Sequence, residues 1–524
     1  MTGAALLATT IAALGSVAGG VRVVPHSLGA AAASAAGKPP NFLFVLVDDQ
    51  SMNSFHRRYM PQTYRWIVNR GTKFTDALAA PPLCCPDRAG IMTGQYPHNH
   101  HVWSNHPGYA ELNDRANTLP TWLKRAGYRT GFFGKFLNHY QAVRGLEPAP
   151  GFDRWFELLN QRLTYYDYKI SDDGERVLYG HDRADYSTDV LTDEAATFMR
   201  DSAAEGQPFF AWLAYTAPHT NGLTSGPCAG NNPVPPDHAT FRRFADERLP
   251  RPPSFDEPNI ADKPPGIRDL RRLDRDTIAR ISLRWRCTLA AMSGVDGALG
   301  GLKAELHDAD LLRSTIVIYL SDNGVFFGEH RIPNGKGIAY EPSLRVPFAV
   351  FVPRAFRDAR LDPRSDEVVS NQDIAPTLLR YVNRYGGSAS PCNPPTNCRR
   401  LDGRSLTPLL NGGGRWRRGD RGVLVELDSR RTADSAAASK RRRVDPECNC
   451  AYEAIRTHRY MYSELATHGR ELYDLERDPD ELRNRVHSRR YADARRRLAK
   501  RLSRLERCSG QRGRESHTDA PFCD

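Results

Sequence analysis

The 524-residue chain reads as an α/β protein: a large, mixed, mostly parallel central sheet flanked by helices, then a smaller C-terminal α+β part with an antiparallel sheet. Two observations predict this. Parallel strands buried on both faces show as continuous apolar runs, and four such runs occur, each closed by a polar cluster. After residue 414 the pattern changes to short strand-like segments and one helix. The expected boundaries are 1–36, a leader; 37–414, the large domain; and 415–524, the smaller one.

In chain order, residues 4–21, AALLATTIAALGSVAGGV, form an apolar, small-residue stretch, and Ala33-Ser34-Ala35 has the small-x-small form of a signal-peptidase site. This predicts a removed export signal and a secreted or cell-surface protein. No Lys or Arg precedes the run, so a membrane anchor stays open as the alternative. NFLFVLV at 41–47 leads into Asp48-Asp49, and YRTGFF at 128–133 into Gly134-Lys135. FFAWLAY at 209–215 is followed by TAPH, which places His219 past its end, and TIVIYL at 315–320 runs into Ser321-Asp322-Asn323-Gly324. LDGRSLTPLLNGGG at 401–414 closes the large domain, with the glycine run as a hinge. Short antiparallel strands follow in GVLVEL, EAIRTHRYMYSEL and ELYDL, separated by a flexible basic loop over 428–446. Tyr491, Leu498, Leu502 and Leu505 then share one helix face. There is no internal repeat and no dinucleotide-type glycine motif.

The net charge of +12, from 73 Lys+Arg against 61 Asp+Glu, suits an anionic partner or a plainly solvated basic face. Ten cysteines in an exported chain predict disulfides. Cys392 with Cys398 and Cys508 with Cys523 close short loops, whereas Cys448 and Cys450 are expected to reach Cys228 or Cys287. Cys84 and Cys85 remain. They are adjacent, which strains a mutual bridge and does not suit a zinc site.

Any one strand-end cluster alone reads as a cap, a turn or a structural histidine. Together, Asp48, Asp49, Asp322 and Asn323 form an all-oxygen set, which fits Ca²⁺, or Mg²⁺, better than zinc. Lys135, His219 and Lys336 add positive charge or protons around a group that must be anionic.

Cys84-Cys85-Pro86-Asp87-Arg88 with Thr93-Gly94 resembles the type I sulfatase signature, cysteine-x-proline-x-arginine. The resemblance extends from Asn41 to Asn484 through Asp48-Asp49, Gly134-Lys135, Pro218-His219, Asp322-Asn323-Gly324, Lys336 with Tyr340-Glu341, NQDIAPTLL at 371–379 and ELYDLERDPDE at 471–481. It implies an alkaline-phosphatase-like sandwich fold and a sulfuric ester hydrolase. It also implies that a formylglycine-generating enzyme oxidises Cys84 to Cα-formylglycine (3-oxoalanine), whose hydrate attacks sulfur. By the same resemblance residue 84 joins Asp48, Asp49, Asp322 and Asn323 on Ca²⁺, and Arg88, Lys135, His219 and Lys336 are catalytic. Lys135, His219, Lys336 and Asn138 are implied to bind substrate. Cys85 reads as buried packing.

Two positions depart from the family pattern. Asp87 stands where most members carry serine, and is expected to point outward as a first-turn carboxylate. Leu137 stands where many arylsulfatases carry histidine, leaving Asn138 or His139 to substitute. The run Gly134-Lys135-Phe136-Leu137-Asn138, with YPHNHHV at 96–102, is most similar to the N-acetylglucosamine-6-sulfatase branch, in which His98, His100 and His101 would be helix-end and pocket-wall residues. The expected substrate is therefore 6-sulfated N-acetylglucosamine in a glycosaminoglycan-type glycan. Alternatives are a general arylsulfatase acting on an aryl sulfate, a phosphatase or phosphonate hydrolase of the same superfamily, or a non-catalytic glycan-binding relative. No nucleic acid and no stable membrane span are expected.

Overall fold

The computed structural model describes residues 38–159, 164–223, 226–392, 397–412, 414–416, 421–428, 451–466, 469–512, 514 and 520–524. Its main sheet has ten strands: β1 (Asn41–Val47), β2 (Thr72–Phe74), β3 (Arg129–Gly134), β4 (Arg154–Leu158), β5 (Lys169–Asp172), β6 (Glu175–Leu178), β7 (Phe209–Ala214), β8 (Thr315–Ser321), β9 (Phe348–Phe351) and β10 (Arg364–Ser365). They lie in the order β10-β2-β9-β8-β1-β7-β3-β4-β5-β6. The four apolar runs of the sequence are β8, β1, β7 and β3, which are neighbours at the centre and mutually parallel. The antiparallel strands lie toward the two edges, as the β8–β9 and β4–β5 pairings show.

Both faces of β1 are covered, which explains its unbroken apolar run. Phe42, Phe44 and Leu46 enter one core, Leu43, Val45 and Val47 the other. All six are 0% exposed. At roughly 1.5–3 kcal/mol per buried large side chain, this strand alone resists any shift of register. The first core is closed by helices α1 (Cys84–Thr93) and α4 (Ile374–Arg384), the second by α2 (Ser187–Ala204) and α3 (Arg275–Asp308). Asp274 caps α3 by accepting a hydrogen bond from the Thr277 amide at 2.7 Å. Leu299, Leu302 and Leu306 then recur at helical spacing on the face turned to the sheet.

The C-terminal part is a four-stranded antiparallel meander, β11 (Val423–Asp428), β12 (Ala451–Arg456), β13 (Tyr460–Leu465) and β14 (Arg470–Asp474), covered by α5 (Ala492–Leu505). Leu498, Leu502 and Leu505 are buried on one face of α5, with Tyr491 in the turn before it, as expected. That core is shared with Leu78, Tyr96, Phe326 and Tyr340 of the preceding region, and Lys38–Asp524 packs as one compact unit.

Cys392–Cys398 and Cys508–Cys523 pair as expected, but Cys228 and Cys287 pair with each other and not with Cys448 or Cys450. The reason is spatial: Cys287 lies on the buried side of α3, against the loop that carries Cys228, 59 residues earlier. Cys84 and Cys85 are free and buried. The expected leader, Cys448, Cys450 and the basic loop beyond Asp428 lie outside the described residues. Among the described residues no helix is long and apolar enough to cross a membrane.

Candidate active site

Parallel pairing of Val47 with Ser321 makes β1 and β8 end side by side, so Asp48-Asp49 and Asp322-Asn323 leave the sheet together. Asp48, Asp322 and Asn323 are 0% exposed. Asp49 adopts φ 70°, a left-handed conformation that aspartate tolerates better than most residues, and its amide donates to Asp322 Oδ1 at 3.2 Å. β3 ends on Gly134, where an added Cβ would lie 1.9 Å from the Ala214 carbonyl oxygen, so only glycine fits. The next residue, Lys135, donates its amide to that carbonyl at 2.9 Å and sends its ammonium to Asp48. The turn after β7 brings His219 Nε2 to 3.6 Å from Asp49 Oδ2.

The opposite wall is the start of α1. Leu83 is extended, Cys84 opens the helix, and Pro86 occupies its first turn, where a missing amide hydrogen costs nothing. Gly94, at φ 67°, closes the helix in the left-handed conformation. Cys84 Sγ lies 3.5 Å from Asp48 Oδ1 and 2.9 Å from Lys336 Nζ, which also donates to Asp49. Arg88, one turn on, donates through Nε to Asp322 Oδ2 at 2.8 Å and through a terminal nitrogen to the Lys135 carbonyl. Its other terminal nitrogen is 3.5 Å from Asp48 Oδ2. Arg88 thus straddles two carboxylates instead of gripping one in a fork.

Three carboxylates and three cations therefore interlock out of water. Burial pushes Asp48 up, but the charges of Lys135, His219, Arg88 and Lys336 outweigh it and hold the carboxylate well below its usual range. Asp322 goes the other way, raised by burial and by the charge of Asp48. Burial favours neutral lysines, yet Asp49 and the groups beside it keep Lys336 protonated far above its usual range, and Asp48 raises Lys135 as well. The Cys84 thiol is raised well above its ordinary value, by burial and then by Asp48, so an unmodified sulfur here is a poor thiolate nucleophile.

Asp48, Asp49, Cys84 and His219 each offer a ligand atom, all within 4.8 Å of one another. Asn323 borders them, donating to Asp49 Oδ1 at 2.6 Å, while its Oδ1 is buried without a hydrogen-bond partner. An orphaned amide oxygen among carboxylates fits a hard cation. His219, expected only as an acid and a substrate contact, stands in this group, and Asp322 is engaged by Arg88.

Asp87 is 0% exposed, not outward. It accepts from the Ala80 amide at 3.2 Å and from Asn371 Nδ2 at 2.7 Å, and burial raises its pKa well above the usual carboxylate value despite the Asn371 bond. Nothing local reveals this partner, since Asn371 lies 284 positions away. Cys85 is packed as expected, its pKa pushed up to about 12 by burial. Asn138 meets this turn through its backbone, which hydrogen-bonds Cys85, and its Oδ1 is buried without a partner. His139 pairs with His106 at 3.0 Å. His98 and His100 belong to the short helix Pro97–His100 and His101 ends it, but His98 faces Glu426 of β11 instead of a pocket.

The family model for sulfatases matches residues 40–383. An arylsulfatase of Volvox carteri is 30% identical over 91% of this chain and 76% of its own length. The human N-acetylglucosamine-6-sulfatase is 29% identical over 88% of this chain and 84% of its own. A Drosophila melanogaster extracellular sulfatase SULF-1 homologue is 30% identical over 78% of this chain, which spans only 35% of that relative's length. Among solved structures, a protein in complex with its substrate D-glucosamine-2-N,6-O-disulfate superposes with a TM-score of 0.71 at 22% identity, covering 89% of this chain and 97% of that one. The phosphonate monoester hydrolase of Agrobacterium radiobacter gives 0.62 at 20% identity, covering 88% and 95%. With the family match running from β1 through α4 and so taking in every residue of the carboxylate, cation and cysteine cluster, the chain belongs to the sulfatase family.

Proposed function

We propose that this protein hydrolyses sulfate esters of 6-sulfated N-acetylglucosamine in a glycosaminoglycan-type glycan, with residue 84 as the nucleophile. The observation that carries the reading is the setting of Cys84: the first residue of a buried helix, 3.5 Å from a carboxylate held ionised and 2.9 Å from a lysine held protonated. Oxidised to Cα-formylglycine and hydrated, residue 84 would present a hydroxyl nucleophile beside the cluster's carboxylates. Asp48, Asp49, residue 84, Asp322 and Asn323 would hold Ca²⁺, with His219 beside them, and the ion would neutralise the sulfate oxygens.

The chain's own residues do the rest. An aspartate of the cluster accepts the proton of the attacking hydroxyl, with Asp48 Oδ1 facing position 84. Arg88 keeps Asp48 and Asp322 in fixed relation, so the nucleophile meets an ordered site. Lys135 and Lys336 donate to sulfate oxygens and hold an anion in a place closed to water. His219, whose side chain is 23% exposed, stands at the solvent side and protonates the leaving alcohol. The 6-sulfated amino sugar is supported by the name of the human relative and by the Gly134–Asn138 run.

The test is sulfate release from 6-sulfated N-acetylglucosamine, its 3-sulfated and N-sulfated isomers, a nitrophenyl sulfate and a phosphonate monoester, with metal analysis of the same active protein. The 6-sulfate should give the highest kcat/KM, with calcium or magnesium at stoichiometric level. Turnover of the aryl ester alone would overturn the glycan assignment, and stoichiometric zinc without calcium or magnesium would overturn the metal assignment.

A further inference from the structure

At the far end of the central sheet, a cleft of about 550 Å³ is lined by Arg70, Arg313, Arg354, Arg357 and Arg360 and, among the described residues, by no carboxylate. The register shows how far it lies from the carboxylate centre. Phe351, in the cleft, pairs with Val317, five residues before Asp322 on β8, which is roughly 17 Å of extended strand. β2 and β9 run antiparallel here, so Gly71 at the start of β2 and Pro353 after β9 meet at this same end.

The arginines are not absorbed by the fold. Among the described residues none of the five is in a salt bridge, and the neighbouring Asp358 is taken by Arg384. Arg70, Arg313, Arg354 and Arg360 are exposed, and Arg357 Nε is buried without a hydrogen-bond partner. Arginine cannot shed its charge, so five guanidinium groups around one cleft repel each other until an anion enters. Forked guanidinium donors match the oxygens of sulfate or phosphate groups. The volume is that of a small-ligand site, enough for a few sugar units.

We propose that this cleft is a second binding site, which holds a sulfated polysaccharide chain by its sulfate groups. A polysaccharide fits better than a nucleic acid, because among the described residues the lining offers no free aromatic face for a base to stack on. Phe351 is 5% exposed, with the Arg70 guanidinium 5.2 Å from its ring centroid. The site would retain the enzyme on a polyanionic chain while another stretch of that chain, or of a neighbour, reaches the carboxylate centre. Its existence does not depend on the chemistry proposed for residue 84, and binding is measured without turnover.

The experiment is anisotropy binding of a labelled heparin octasaccharide to the full chain, repeated from about 50 to 200 mM salt. Two variants are compared with the parent: Arg313→Gln/Arg354→Gln/Arg360→Gln in the cleft, and Arg176→Gln/Arg248→Gln/Arg489→Gln, which removes the same charge from exposed positions elsewhere. The cleft variant should bind at least about 10-fold more weakly, with a salt slope shallower by about 2 to 3, while the control stays near the parent. Thermal melts of both establish that they fold. Equal weakening in both variants, or in neither, would overturn the proposal. So would affinity for inorganic sulfate with no gain from chain length, or duplex DNA binding as tightly with the same sensitivity to the cleft arginines.

Discussion

Asp87 and Arg88 are adjacent yet serve different parts of the molecule. Asp87 ties the start of α1 to the Ala80 loop and to Asn371, whereas Arg88 faces the Asp48 and Asp322 carboxylates. Removing a buried acceptor strands its donors, so Asp87→Ala should lower unfolding free energy by roughly 1–3 kcal/mol in a denaturant titration. No measurable loss would mean that Asp87 is not holding that corner. Arg88→Lys tests the second role. A single ammonium cannot reach Asp322, Asp48 and the Lys135 carbonyl together, so kcat should fall on the order of 100-fold while the thermal melt changes little. A full-rate Arg88→Lys enzyme would show that the straddling geometry is not needed.

The short helix Pro97–His100 shows how separate elements are joined by one ionisable contact. His98 donates its backbone amide and offers Nδ1 to Glu426 Oε1 on β11, at 2.8 and 2.7 Å, while Nε2 meets the Cys508 carbonyl at 2.8 Å. Burial would keep this imidazole neutral, but the Glu426 carboxylate wins and raises it to about 9. A pKa raised on folding gives stability that is complete below the unfolded value near 6.5 and is lost as pH climbs through about 9. At about 1.4 kcal/mol per unit, the contribution is a few kcal/mol at most. Unfolding free energy should therefore fall between those two pH values in the parent and stay flatter in His98→Gln. Parallel profiles would show that the pair does not carry a proton-linked share of stability.

Across the whole molecule, Cys228–Cys287 ties the loop following β7 to α3 and closes a loop of 59 residues. Chain-entropy reasoning gives about 4 kcal/mol for such a loop, so the double Cys→Ala variant should lose stability of that order in a denaturant titration. An unchanged midpoint would contradict it.

What the sequence disclosed follows from range. The four central strands were legible because burial on both faces leaves an unbroken apolar run, and Asp48, His219 and Asp322 were legible because each stands within four residues of the end of one. The burial of Asp87, the Cys228–Cys287 pair and the straddling grip of Arg88 were not, since each depends on a partner that only the folded sheet brings near. The basic excess suited an anionic partner or a plainly solvated face alike, and did not disclose the clustering of five arginines in one cleft, because they come from three separate segments.

Hydrolysis as proposed turns on one side chain. A tryptic peptide containing residue 84, taken from protein made with an active maturation system, should show by mass spectrometry an aldehyde in place of the thiol and should react with a hydrazide. Catalytically active protein in which residue 84 is only an unmodified thiol or a disulfide would rule out a formylglycine nucleophile at this position.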